Sequence, residues 1–235
     1  MTPQVKILFA LCILLFKALV DAQSYEFTVG PSADVLITKF EASLTVPPFS
    51  KSGLHLFASG LTNQAKSYVY DNSLNDHNSG TWEVDMQHDN GALATDNKIL
   101  PGDTIYSVFE YSSGTLVTSD NVTIIPGPAS IKAGLKERTS SRQDSLQKTS
   151  PAAGKLNVAR LRVWLGADTP WDFGPIVWKN VTITSQTTDP WWCNDAWKAS
   201  DNLNVTGRIT MFWGEGDKTI CEYQYMSWEP TKKGN

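Results

Sequence analysis

Ala159-Arg-Leu-Arg-Val-Trp-Leu165 alternates without a break. Ala159, Leu161, Val163 and Leu165 fall on one side, Arg160, Arg162 and Trp164 on the other. Successive side chains of a β-strand point to opposite faces, so this stretch predicts a strand with one face in a core and one facing out. The same period recurs upstream. Phe40, Ala42, Leu44 and Val46 share a face, Leu54-His-Leu-Phe57 is a short apolar run, and Trp82, Val84 and Met86 alternate with Glu83 and Asp85. Ile105 to Tyr111, the spacer Ser112-Ser-Gly114 and Thr115 to Thr118 read as a β-hairpin, and Val122 and Ile124 close the series. Downstream, Val177, Val181 and Ile183 alternate with Trp178, Asn180 and Thr182. Strands follow over Ile209, Met211 and Trp213 and over Ile220 to Trp228. The spacers are rich in Gly, Pro, Asn, Asp and Ser, and no stretch has a convincing helical period. The fold class expected is all-β, of the sandwich type.

Residues 126–154 interrupt this grammar. Pro126-Gly-Pro128 is followed by Lys132, Lys136, Arg138, Arg142 and Lys148 among small polar residues, then Pro151-Ala-Ala-Gly154, with no aromatic residue. Such a composition buries little and predicts a linker. A short helix near Leu135 to Leu146 is the alternative. The expected organisation is therefore a leader over 1–22, a β-sandwich over 23–125, a linker over 126–154 and a second, smaller β-sandwich module over 155–229.

The leader reading rests on Lys6, the apolar run Ile7 to Val20 broken only by Lys17, and the small-residue site Val20-Asp-Ala22. It predicts a secreted, extracellular protein. The chain carries 20 Lys+Arg against 24 Asp+Glu, a formal net charge of −4. That balance gives no support to nucleic-acid or membrane partners, which favour a basic surface. Cys12 lies in the leader, which leaves Cys193 and Cys221 as one pair in an oxidising compartment. A disulfide between them is expected, contributing about 3–4 kcal/mol. Asn121, Asn180 and Asn204 each head an Asn-Val-Thr sequon and are the expected glycosylation sites.

Eight of the 9 tryptophans lie between Trp164 and Trp228. Some must fill a core, and the others offer flat apolar faces on which a sugar ring can stack. Trp178 shares a strand face with Asn180, which would be solvent-facing if glycosylated. Trp171, Trp191, Trp192 and Trp197 sit in loop-like stretches rich in Pro, Asp and Asn. These five are the expected carbohydrate-binding residues. Trp82, on the parity of Val84 and Met86, is expected in the core.

Catalytic motifs are sparse. There is no Gly-x-Ser-x-Gly elbow. His55 lies in a predicted strand, whereas His77 and His88 lie in polar stretches beside Asp76 and Asp89, a pattern of solvated surface rather than a metal site. Glu83-Val-Asp85 puts two carboxylates on one strand face, which solvent-side alternation already explains. No catalytic residue, metal or cofactor is expected.

Leu54-His-Leu-Phe-Ala-Ser-Gly60, Gly80-Thr-Trp-Glu-Val-Asp85 and Leu100-Pro-Gly-Asp-Thr-Ile-Tyr106 resemble the N-terminal carbohydrate-binding domain of arthropod β-1,3-glucan recognition proteins. The resemblance covers about residues 24–125. It implies an immunoglobulin-like sandwich that binds β-1,3-glucan in innate immune recognition. The chain departs from that pattern at Ser43, at Leu93 and at Ser107-Val-Phe109. The expectation from sequence is thus a secreted, non-catalytic polysaccharide-binding protein with a glucan-like ligand and a downstream protein partner. The rival is a secreted protein-binding or adhesion protein with no glycan ligand.

Overall fold

The computed structural model describes residues 22–31, 35–51, 53–66, 68–77, 80–88, 91–112, 117–145, 156–195, 197–207 and 210–231. The expected leader, but for Ala22, lies outside them. The described chain is almost entirely antiparallel β-structure in two sheets. Its strands are β1 (Gln23–Val29), β2 (Ile37–Thr45), β3 (His55–Thr62), β4 (Val69–Asn75), β5 (Trp82–His88), β6 (Gly91–Ile99), β7 (Thr104–Ser112), β8 (Val117–Ile125) and β9 (Arg138–Ser145). They continue as β10 (Val158–Leu165), β11 (Ile176–Ser185), β12 (Trp197–Ala199), β13 (Leu203–Thr206), β14 (Thr210–Glu215) and β15 (Lys218–Pro230). Two short helices, α1 (Pro128–Lys132) and α2 (Trp192–Asp195), complete it.

The first sheet has seven strands in the order β12-β1-β10-β3-β4-β5-β6. The second has eight, in the order β13-β15-β11-β2-β7-β8-β9, with β14 paired to β15. Alternation sends Phe27, Phe57, Leu61, Trp82, Leu161 and Val163 from the first sheet into one core with Phe40, Phe109, Ile183, Tyr223 and Trp228 from the second.

The all-β expectation stands, but two modules are not what the pairing shows. Strand β10, read from sequence as the start of the second module, lies between β1 and β3 in register from Val29↔Ala159 to His55↔Leu165. Strand β11 lies between β2 and β15. Residues 23–125 do not close a sandwich of their own, because the edges of β1, β2 and β3 are filled by strands from beyond residue 155. Alternation reports that a strand has an inner face and an outer one. It does not report which strand is its neighbour.

Residues 126–145 of the expected linker form part of the fold, and the rest of it lies outside the described residues. Asp103 accepts hydrogen bonds from the Gly127 amide (2.7 Å), the Ser130 hydroxyl (2.8 Å) and the Leu100 amide (3.0 Å). One buried carboxylate thereby fixes the exit of β8 and the start of α1, where Pro128 sits in the first turn. Gly127 is needed because a Cβ there would meet the Gly102 carbonyl oxygen at 2.3 Å. Residues Arg138–Ser145 then add β9 to the edge of β8, from Ile124↔Arg138 to Val117↔Ser145.

Candidate active site on the outer face of the first sheet

Because Phe57 and Leu61 point inward, Ala58, Gly60 and Thr62 of β3 face away from the core. Register carries that outer face across the sheet: Gly60 pairs with Asp71 on β4 and with Arg160 on β10, and Ala58 pairs with Ser73 and Arg162. Arg160 and Arg162 pair in turn with Thr28 and Glu26 of β1. Ser73 pairs with Asp85 and Asn75 with Glu83 on β5. The outer face is therefore a polar floor of four acids, two arginines and small residues.

Its centre is buried although it faces outward. Asp71 is 1% exposed and Arg160 5%. Arg160 Nη2 donates to Asp71 Oδ2 at 2.6 Å, and Arg162 Nη2 reaches the same oxygen at 3.4 Å. Arg160 Nη1 lies 3.7 Å from Glu26 Oε1, and Lys66 Nζ is 2.8 Å from Glu26 Oε2. The ion pair crosses β3 at Gly60, where a Cβ would strike Asp71 Oδ1 at 2.1 Å. Asp71 Oδ1 and the Nε atoms of Arg160 and Arg162 are buried without a hydrogen-bond partner. Such groups carry a desolvation cost that a bound polar ligand would remove. Burial pushes the Asp71 carboxyl above its usual range, against the pull of Arg160 and Arg162. Beside this cluster opens a cavity of about 650 Å³, lined among others by Glu26, Thr28, Thr62, Lys66, Lys198 and Ser200. On the other side of Asp71, Asn75 Nδ2 donates to Asp85 Oδ2 at 2.8 Å.

The tryptophans expected to bind sugar are mostly withdrawn from solvent. Trp178 is 1% exposed and packs on Trp228 with ring centroids 5.9 Å apart. The expected parity fails at a β-bulge. The register of β11 shifts between Lys179 and Thr182, and Asn180 takes a left-handed φ of 50°. Two successive exposed residues, Lys179 and Asn180, bring Trp178, Val181 and Ile183 to the same inner side. Trp192 is 6% exposed and joins the core from α2. Trp171 is half-buried against Tyr25 and Phe173, and Trp197 stacks on Phe27 at 5.7 Å. Of the five, only Trp191 is exposed, at 62%. They do not form one stacking platform. Trp82 is fully buried, as its parity requires.

The histidines also differ from expectation. His88 lies in β5, fully buried, with Nε2 2.9 Å from Asp120 Oδ2 and Nδ1 against Asp144 Oδ2. Asn72 Nδ2 donates to the other oxygen of Asp120 at 2.7 Å. This network ties β4 and β5 of the first sheet to β8 and β9 of the second. His55 binds Asp76 at 2.7 Å and lies 3.3 Å from the Pro170 carbonyl oxygen, holding the loop before β11. Among the described residues no group of His, Cys, Asp and Glu could hold a metal ion.

Cys193 and Cys221, the pair expected to join, are both buried and carry free thiols. They lie side by side. A hydrogen bond between them, with burial, raises the Cys193 thiol above its ordinary range. Asn180 and Asn204 are exposed, whereas Asn121 is half-buried and accepts a bond from the Ser141 hydroxyl at 2.6 Å. Among the described residues, no helix is long and apolar enough to cross a membrane.

Sequence reading missed the centre of the outer face. Its signal was present in Arg160-x-Arg162, two cations on the exposed side of an otherwise apolar strand, and in Tyr70-Asp-Asn72. What was missing was the register that sets them opposite each other.

No protein-family model matches the chain, and no curated protein matches it. Among solved structures, two complexes of scytalido-glutamic peptidase are similar, one with a peptide-based transition-state analogue and one with a transition-state-analogue inhibitor. Their TM-scores are 0.55 and 0.54, each at 12% identity, covering 86% of this chain and 98% of the peptidase. SCP-B, described as a member of the eqolisin family of peptidases in complex with the tripeptide Ala-Ile-His, covers the same shares at TM-score 0.49 and 11% identity. The likeness to the two scytalido-glutamic peptidase complexes shows a shared fold. It overturns two expectations drawn from sequence, that of a non-catalytic polysaccharide-binding protein and that of a non-enzyme. The shared fold covers 98% of the peptidase chain, and of the five rings expected to stack on sugar two are core and two more pack against it.

Proposed function

We propose that this chain is a peptidase-class hydrolase that works on the outer face of the first sheet, with Asp71 as its acid–base group. The observation that carries this reading is a single atom. Asp71 Oδ1 is the unpartnered oxygen of a buried carboxylate whose other oxygen is fixed by two guanidinium groups. Perturbed, buried carboxylates beside a cavity are where acid–base chemistry concentrates. The fold shared with a glutamic peptidase supports the same class of reaction. The secretory reading of residues 1–22 fits a protein acting on extracellular peptides.

The chemistry follows from the arrangement. An extended peptide laid across the sheet presents a carbonyl above Asp71, and the attacking water is held by Oδ1 once substrate binding uncovers that buried oxygen. As water adds to the carbonyl carbon, its proton passes to Asp71. The oxyanion that forms is stabilised by the guanidinium of Arg162, the more exposed of the two arginines. Collapse breaks the C–N bond, and Asp71 returns the proton to the leaving amine. Arg160 positions Asp71 and does not touch the substrate. A second candidate pair on the same face is Asp85 with Asn75, a carboxylate beside an amide donor.

The test is hydrolysis of a denatured protein and a peptide mixture from acidic to neutral pH, with product masses read directly. Cleavage lost in Asp71→Asn and kept in Asp85→Asn supports the assignment. Cleavage kept in Asp71→Asn and lost in Asp85→Asn moves the chemistry to the second pair. Peptide bound but never cut overturns the hydrolytic reading.

A further inference from the structure

The cavity beside Arg160 has a charge that the proposed chemistry does not use. It is lined by one acid, Glu26, and two cations, Lys66 and Lys198. Glu26 is already engaged by Lys66 at 2.8 Å on one oxygen and by Arg160 at 3.7 Å on the other. Among the described residues, no carboxylate lies within ion-pair reach of Lys198. The cavity therefore keeps one uncompensated positive charge, carried by an exposed ammonium on β12.

Lys198 is placed by register, not by a floppy loop. It pairs with Thr28 on β1, and Thr28 pairs with Arg160 on β10. Lys198, Thr28 and Arg160 thus form one row on the outer face, continuing through Gly60 to Asp71. Strands lie about 4.8 Å apart, so Lys198 stands about 10 Å from Arg160 along that row. The Ser200 amide donates to the Glu26 carbonyl, and Ser200 Oγ accepts from the Glu26 amide at 2.9 Å, which fixes the end of β12 against β1. The volume of about 650 Å³ admits a peptide side chain or terminus.

We infer that this cavity is a specificity subsite for a carboxylate on the peptide, with Lys198 as its recognition residue. Resting on the peptide-hydrolase reading, it names the substrate class: peptides bearing an acidic group several residues from the bond cleaved. The carboxylate can be a Glu or Asp side chain or the free C-terminus, and the two sources share one chemistry. The attraction is that of a partly exposed ion pair, which amounts to a preference of up to about five-fold and weakens with salt.

The experiment is binding of labelled peptides to the full chain, read by fluorescence anisotropy, so that no turnover is required. One arm compares Glu with Gln scanned along the peptide. A second compares a free C-terminus with its amide. Both are repeated with Lys198→Ala and Lys198→Glu, and N-acetylglutamate serves as a small competitor. A preference for the acid that vanishes in Lys198→Ala and turns toward Lys-containing peptides in Lys198→Glu is the expected result, and the arm that shows it identifies the source. Equal affinity for acid and amide forms in the native chain overturns the subsite. If no peptide binds but N-acetylglutamate still binds in a Lys198-dependent way, the subsite stands and the peptide-hydrolase reading falls. If neither binds, the subsite falls.

Discussion

Arg160 and Asp71 meet across a glycine. They sit on β10 and β4, separated by β3, and Gly60 of β3 is the register partner of both. Their side chains close over it with Nη2 and Oδ2 2.6 Å apart. A buried ion pair of this kind is strongly destabilised when one partner is removed alone, because the other charge remains out of water.

Arg160→Leu is therefore expected to cost about 3–5 kcal/mol, measured by urea unfolding. The double variant Arg160→Leu with Asp71→Leu should recover much of that loss. A double variant as unstable as the single one would show that the arginine acts through packing rather than through its charge.

Gly60→Ala tests the same crossing from beneath. The added methyl would meet Asp71 Oδ1 and the Tyr70 carbonyl oxygen at 2.1 Å, closer than any relaxed contact. A loss of about 1–3 kcal/mol is expected, the range of an overpacked site. Peptide hydrolysis should fall with it, since Asp71 must move. Native stability and activity in Gly60→Ala would contradict the close crossing.

Stability should depend on pH through Asp120. Burial lifts its carboxyl above the ordinary 3.8, with hydrogen bonds from His88 and Asn72 acting in the opposite sense. Below 3.8 the group is protonated whether the chain is folded or not, and its contribution is complete. As pH rises, the unfolded chain ionises first, so the contribution shrinks and is lost by the raised value in the folded chain. Melting temperature measured across this window should fall with rising pH more steeply for the native chain than for Asp120→Asn. Equal slopes would remove Asp120 from the account.

Cys193 and Cys221 are placed to form a disulfide under oxidising conditions. Mass spectrometry of residues 23–235 produced in an oxidising compartment should show the loss of two hydrogens and no titratable thiol after unfolding. The link would stabilise the fold by about 3–4 kcal/mol. Two reactive thiols in the unfolded, unreduced protein would refute it.

Trp191→Phe should remove much of the iodide-accessible fluorescence and leave the melting temperature unchanged, because that ring is 62% exposed. Trp178→Ala should instead cost about 3–5 kcal/mol, as for any large core aromatic. The reverse order would restore Trp178 to the surface.

Many of the strands were legible in the sequence, with their inner faces, whereas β1 and β4 were not named and β9 was read as linker. Ala159 to Leu165 and Trp82 to Met86 bury the residues their alternation nominates. Trp178 misled because one left-handed residue, Asn180, inverts parity within a strand, and Asn-Val-Thr has no signature of a bulge. His88 misled because its carboxylate partners, Asp120 and Asp144, come from distant strands. The candidate site was hidden for the same reason. Asp71, Arg160 and Glu26 are unremarkable acids and bases until pairing sets them side by side. Local pattern fixes which way a residue points, whereas long-range pairing decides what it meets.

The place of β10 has a consequence for how the chain is made. During synthesis β1, β2 and β3 leave the ribosome long before their eventual neighbours β10 and β11 exist. Until those arrive, the early strands carry unpaired backbone edges of the kind that recruit other chains. Pairings so distant in sequence close slowly, and the waiting intermediate is open to aggregation. The nascent amino-terminal half therefore needs shelter until its last strands are threaded between the first.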